Sequence, residues 1–80
     1  MDKGKFEVIL MMIVPDVVQM IVNKFNVPEI QAADMFYNSS VYSYLEREET
    51  KFWHYSPLTL FSLFEEEKET GSITFPEEAF

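Results

Sequence analysis

The sequence predicts an all-α or mostly α domain, a small bundle of about four helices. Three observations carry that expectation. Apolar residues recur at three- and four-residue spacing through most of the chain, as they do on the buried face of a helix. Asn, Ser, Pro and Gly fall where such segments would start and stop. Finally, 48% of the 80 residues are apolar, among them eight Phe, four Tyr and one Trp, which is more buriable surface than disordered chains carry.

The first helix is expected over residues 5–25 (KFEVILMMIVPDVVQMIVNKF), where Phe6, Ile9, Leu10, Ile13, Val17, Met20, Ile21 and Phe25 keep the helical spacing. Pro15 lies inside it. A proline costs about 3 kcal/mol in a helix interior and disfavours helical geometry at Val14, so a kink or a split into two shorter helices is expected. The competing reading of residues 8–14 (VILMMIV) is a buried strand, which Val and Ile favour but Met and Leu do not.

A second helix is expected over 28–38. Asn26 would cap it, Pro28 needs no amide partner in the first turn, and Glu29 would reach back as in a capping box. Asn38-Ser39-Ser40 is a turn signal. It leads into a third helix at 40–48, marked by Val41, Tyr44 and Leu45 and closing on Glu46-Arg47-Glu48-Glu49. Residues 51–55 (KFWHY) have the aromatic content of a short strand. Ser56-Pro57 then starts a fourth helix over 57–70, with Leu58, Phe61 and Phe64 on its apolar face, Leu60 and Leu63 beside them, and Gly71 as its stop. Residues 72–80 (SITFPEEAF) form an extended tail, and a strand at 72–75 could pair with 51–55.

Residues 1–80 are expected to make a single domain, because a chain this short supports one core at most. There is no cysteine, which removes disulfides and thiolate metal sites and fits a reducing compartment. The apolar run 8–14 is shorter than the roughly 20 residues a bilayer span needs. Pro15-Asp16 follows it where a secretory signal would carry small residues. A complete, cytoplasmic chain is the expectation.

The net charge is −8. Residues 1–40 hold five acids against three bases, and residues 41–80 hold nine against three. Such a surface repels phosphate backbones, so nucleic acid and membrane are not expected partners and a basic protein is.

The chemistry concentrates in residues 51–71, "KFWHYSPLTLFSLFEEEKETG". His54 is the sole imidazole. With only two glycines in the chain and no nucleophile-elbow pattern, it reads as a partly buried structural residue rather than a catalytic base served by Asp16 or Asp34. The acids Glu65, Glu66, Glu67 and Glu69 share one helix, but no Glu-x-x-His and no calcium-loop pattern accompanies them, so no metal or cofactor is expected. They do occupy the end of a helix, where its dipole disfavours acids by about 0.3 to 1 kcal/mol each when exposed. That misplacement marks them as candidates for binding arginines and lysines of a partner. The pair of short helices at 28–48 has a helix-turn-helix outline, yet its second member (VYSYLEREE) offers only Arg47 for phosphates and guanine. Tyr37, Tyr42 and Tyr44 without surrounding bases read as core or interface aromatics.

The stretch "FYNSSVYSYLEREETKFWHYSPLTLFSLFEEE" together with "FEVILMMIV" resembles a family of small uncharacterised bacterial proteins of gut Firmicutes type. The residues that carry the likeness are Tyr37, Ser39, Tyr42 and Leu45, then Glu49-Thr50, Trp53-His54 and Ser56-Pro57. The resemblance implies a gene neighbourhood with toxin-like proteins, including ADP-ribosyltransferase-like ones, and hence an antitoxin or accessory role. It supplies no catalytic residues.

The functional expectation is therefore a non-enzymatic, acidic interaction module that masks a basic surface on a partner. Glu65, Glu66, Glu67, Glu69, Phe75 and Phe80 are its candidate contact residues. The alternative is a structural homo-oligomer joined through apolar residues left over from the core, such as Phe6, Met11, Met12 and Phe80.

Overall fold

In the computed structural model, which describes residues 2–73, the first helix forms without a break: α1 spans Lys3–Phe25. Asp2 starts it, its carboxylate accepting from the Gly4 N–H at 3.2 Å. Pro15 is accommodated inside. It has no N–H to offer the Met11 carbonyl, but both residues face outward, where water can serve that oxygen. Neither the split at Pro15 nor the strand at 8–14 forms.

Asn26 closes α1 rather than opening the next helix. It adopts the left-handed conformation (φ 56°), and its N–H donates to the Val22 carbonyl at 2.9 Å. Asparagine is among the few side chains that tolerate this geometry, which is why the residue expected to be a start signal acts as a stop. The second helix, α2 (Glu29–Tyr37), begins from an extended Pro28 with no side-chain cap, so the expected capping box is not used.

The Asn38–Ser40 turn forms as expected. Ser39 is buried, and its hydroxyl donates to the Phe36 carbonyl at 2.6 Å while accepting from the Tyr42 N–H at 3.2 Å, so one side chain joins the end of α2 to the start of α3. The third helix, α3 (Ser40–Leu45), stops three residues short of the expected end at 48. Arg47 turns extended there (φ −105°, ψ 115°).

The expected strand at 51–55 is replaced by two 3-10 turns, Glu48–Thr50 and Phe52–His54. Two local features outweigh the aromatic strand propensity. The Thr50 hydroxyl donates to the carbonyls of Tyr44 and Arg47 and accepts from the Phe52 N–H, and Lys51 takes a left-handed conformation (φ 60°) that reverses the chain. Phe52 is thereby buried, and the Trp53 indole N–H reaches back to the Glu48 carbonyl at 3.0 Å. No strand exists among the described residues, and of the expected partner at 72–75 only Ser72 and Ile73 are described.

The fourth helix, α4 (Pro57–Thr70), matches its expected bounds. Ser56 accepts from the Thr59 N–H at 3.2 Å, Pro57 sits in the first turn, and Gly71 exits left-handed (φ 82°) with its N–H on the Glu67 carbonyl. Only Leu58 departs from the expected face: it is 63% exposed, while Leu60, Phe61, Leu63 and Phe64 are buried.

The four helices and the second 3-10 turn meet in one core. It contains Ile13, Val17, Val18 and Ile21 of α1, Ala32 and Phe36 of α2, Val41 and Leu45 of α3, Phe52, and the four buried residues of α4. Phe64 lies at its centre, edge-on to Phe36 at 6.1 Å and to Phe25 at 6.0 Å. Fully burying an apolar side chain of this size contributes about 1.5 to 3 kcal/mol.

Candidate interaction surfaces

Helical periodicity divides the acidic end of α4 into two sides. Glu67 continues the buried stripe of Leu60, Leu63 and Phe64 at the next turn, whereas Glu65, Glu66 and Glu69 fall on the other side. The Glu67 carboxylate therefore reaches α3. It accepts from the Ser40 N–H at 2.9 and 3.1 Å and from the Val41 N–H at 3.3 Å. With Ser39 taking the Tyr42 N–H, the first three amides of α3, which no helix can satisfy internally, all have acceptors. A carboxylate suits that position twice over, as hydrogen-bond acceptor and as the negative charge that a helix N-terminus attracts.

Glu65 pairs with Lys24 Nζ at 3.6 Å. Lys24 occupies the last turn of α1, where a cation is favoured, and the pair links α1 to α4. Both side chains are partly solvated, so the bridge contributes about 0 to 1 kcal/mol. Lys68 lies over the Phe64 ring at 5.6 Å from its centroid. Glu66 is half-buried and engaged within the fold. Glu69 is exposed. The expected contact residues thus have different environments: Glu67 faces inward, Glu65 is bridged and Glu69 faces water, while Phe75 and Phe80 lie outside the described residues. A depression of about 240 Å³ lined by Ser40, Tyr44, Glu67, Gly71, Ser72 and Ile73 adjoins the cap.

His54 is exposed, not partly buried as expected, because the 3-10 turn directs Phe52 inward and leaves His54 at the rim. Its ring packs edge-on against Trp53 at 4.2 Å. Among the described residues, no group of three or more histidine and acid side chains is placed to hold a metal ion. In the helix-turn-helix outline, α3 (SVYSYL) carries no base at all. Tyr42 packs edge-on to Phe36 and Tyr37 at 5.5 and 4.8 Å. Its burial, then the charge of Glu46 and the neighbouring Tyr37, push its hydroxyl pKa above the ordinary tyrosine value.

A second surface includes Met11 and Met12, two of the residues expected to be left over from the core. On the outer side of α1, Val8, Met11 and Met12 are 54, 73 and 68% exposed. Met11 also lines a groove of about 400 Å³ with Leu10, Val14, Pro15, Tyr37 and Tyr42. Phe6, expected to be left over alongside the two methionines, is instead buried. The signal for this face was the continuity of the helix. Residues 8–14 are apolar on every side, and only one side of a helix can face a small core. By length and composition α1 is also the one described helix that could cross a membrane, a property that soluble core helices share. No protein-family model, no curated protein and no solved structure matches the chain, so its functional reading rests on these two surfaces.

Proposed function

We propose that the protein is a small, non-enzymatic interaction module of the cytoplasm that covers a basic surface on a protein partner, as an antitoxin or inhibitor does. The observation that supports this is the charge: 14 acids against 6 bases, a net −8 on 80 residues, with nine of the acids in the second half of the chain. Within that half, Glu65 bridges to Lys24 and Glu67 caps α3, while Glu69 beside them faces outward. Fields of this kind steer oppositely charged partners and set association rates that fall with salt. The resemblance over about residues 6–70 to small bacterial proteins that tend to be encoded beside toxin-like genes is the ground for preferring an antitoxin role within this class.

The test uses a synthetic arginine-rich amphipathic peptide as probe, titrated calorimetrically from low to high salt. Binding that weakens steeply with salt, and weakens further in Glu66→Gln/Glu69→Gln than in the control Glu7→Gln/Asp34→Asn, is expected. Absent binding, salt-independent binding or equal effects of the two variants would overturn the reading.

A further inference from the structure

The outer face of α1 carries a stripe that is complementary to itself. Lys5, Val8, Met12 and Asp16, spaced by three, four and four residues, fall within about 80° of one another on a helix of 100° per residue. All four are exposed. Val8 and Met12 form the middle, and their midpoint is residue 10. Lys5 lies five residues before that point and Asp16 six after it, about 7.5 and 9 Å along the axis at 1.5 Å per residue. If a second α1 is laid against the first in the opposite direction, Val8 faces Met12, and each Lys5 faces the other copy's Asp16. Both charge pairs fall on the same flank, as a two-fold axis requires. On the other flank Met11 stands close to that axis and meets its own counterpart.

We propose that this stripe docks a second copy of the chain, α1 against α1, antiparallel. The charge pattern selects that occupant. A lipid surface would have to take up Asp16 next to Met12, which is costly for a carboxylate. A uniformly basic partner would repel Lys5. A surface with one acid and one base separated by two apolar residues suits both ends, and this chain presents one. Methionine at the centre helps, since its flexible thioether adapts to a facing copy of itself. The contact runs over about three turns of helix and lies below the roughly 800 Å² per partner of a standard interface, so the dimer is weak and concentration-dependent. The inference is independent of the acidic end of α4, whose residues the following variants leave untouched.

Sedimentation equilibrium of the full chain from about 10 µM to about 1 mM tests it, with circular dichroism to verify the helix content of each variant. Wild type is expected to shift from monomer to dimer across that range. Lys5→Glu and Asp16→Lys each turn two attractions into two repulsions and are expected to weaken the dimer about tenfold. The double variant Lys5→Glu/Asp16→Lys recreates the pattern with the signs exchanged and is expected to recover wild-type association. Met12→Glu is expected to leave a monomer. A monomer at every concentration would overturn the proposal, as would a dimer indifferent to the single charge reversals. So would a monomer that binds neutral phosphatidylcholine vesicles and loses that binding in Met12→Glu.

Discussion

The acidic end of α4 and the outer face of α1 exchange the roles their compositions suggest. Four glutamates in five residues look like a surface built for something outside the chain, yet Glu67 is directed inward to the amides of Ser40 and Val41 and Glu65 to Lys24. The run VILMMIV looks like core, yet Val8, Met11 and Met12 face outward. The difference teaches that polarity does not decide which side of a helix is used. Register does. Glu67 holds a place on the Leu60–Leu63–Phe64 stripe, and Val8 and Met12 do not share the side of Ile13 and Val17.

The strongest break between inward and outward residues comes from truncating the apolar ones. Phe64→Ala is expected to cost about 3 to 5 kcal/mol, enough to unfold a small domain, because Phe64 is fully buried against Phe25 and Phe36. Met12→Ala should change stability by no more than about 0.5 kcal/mol in urea. Comparable costs at the two positions would mean that α1's outer face is covered.

The acids come next. Glu67→Ala strips the acceptor from two α3 amides and is expected to cost about 1 to 2 kcal/mol in urea unfolding. Glu69→Ala removes an exposed acid from a helix end that disfavours it and should be neutral or stabilising by about 0.3 kcal/mol. Equal effects would erase the division within the run. At Gly71 a Cβ would meet nothing within 4 Å, so Gly71→Ala isolates the cost of a left-handed residue (φ 82°), about 1 kcal/mol, read as a drop in melting temperature.

The smallest effect is a pH dependence. The Tyr42 hydroxyl holds its proton more tightly in the fold than in the unfolded chain, so its contribution is fully present below the ordinary value of 10.0 and is lost as the pH rises above it. Tyr42→Phe should flatten the alkaline fall in stability. An unchanged slope would assign that fall to other groups.

Much of this fold is legible in the sequence because its signals are local. Ser56-Pro57 and Gly71 bound α4 where propensity places them, and Ser39 turns the chain between α2 and α3. The misreadings arise where a side chain had two uses. Asn26 can cap a start or close an end, and only the register of α1 decides between them. The aromatic run 51–55 looked extended because nothing local announces that Thr50 would gather three backbone groups and bury Phe52. The acidic run was legible as an anomaly, but not as a cap: Glu67 meets Ser40 across 27 residues, a contact that exists only once the core has set α3 against α4.

That contact is the point on which the contrast between the two surfaces rests, and amide hydrogen exchange reads it directly. In Glu67→Ala the Ser40 and Val41 N–H groups should lose their acceptor and exchange markedly faster than in wild type, while Glu69→Ala leaves both unchanged. Equal protection of the two amides in both variants would contradict an inward-facing Glu67 and return the whole acidic run to the surface.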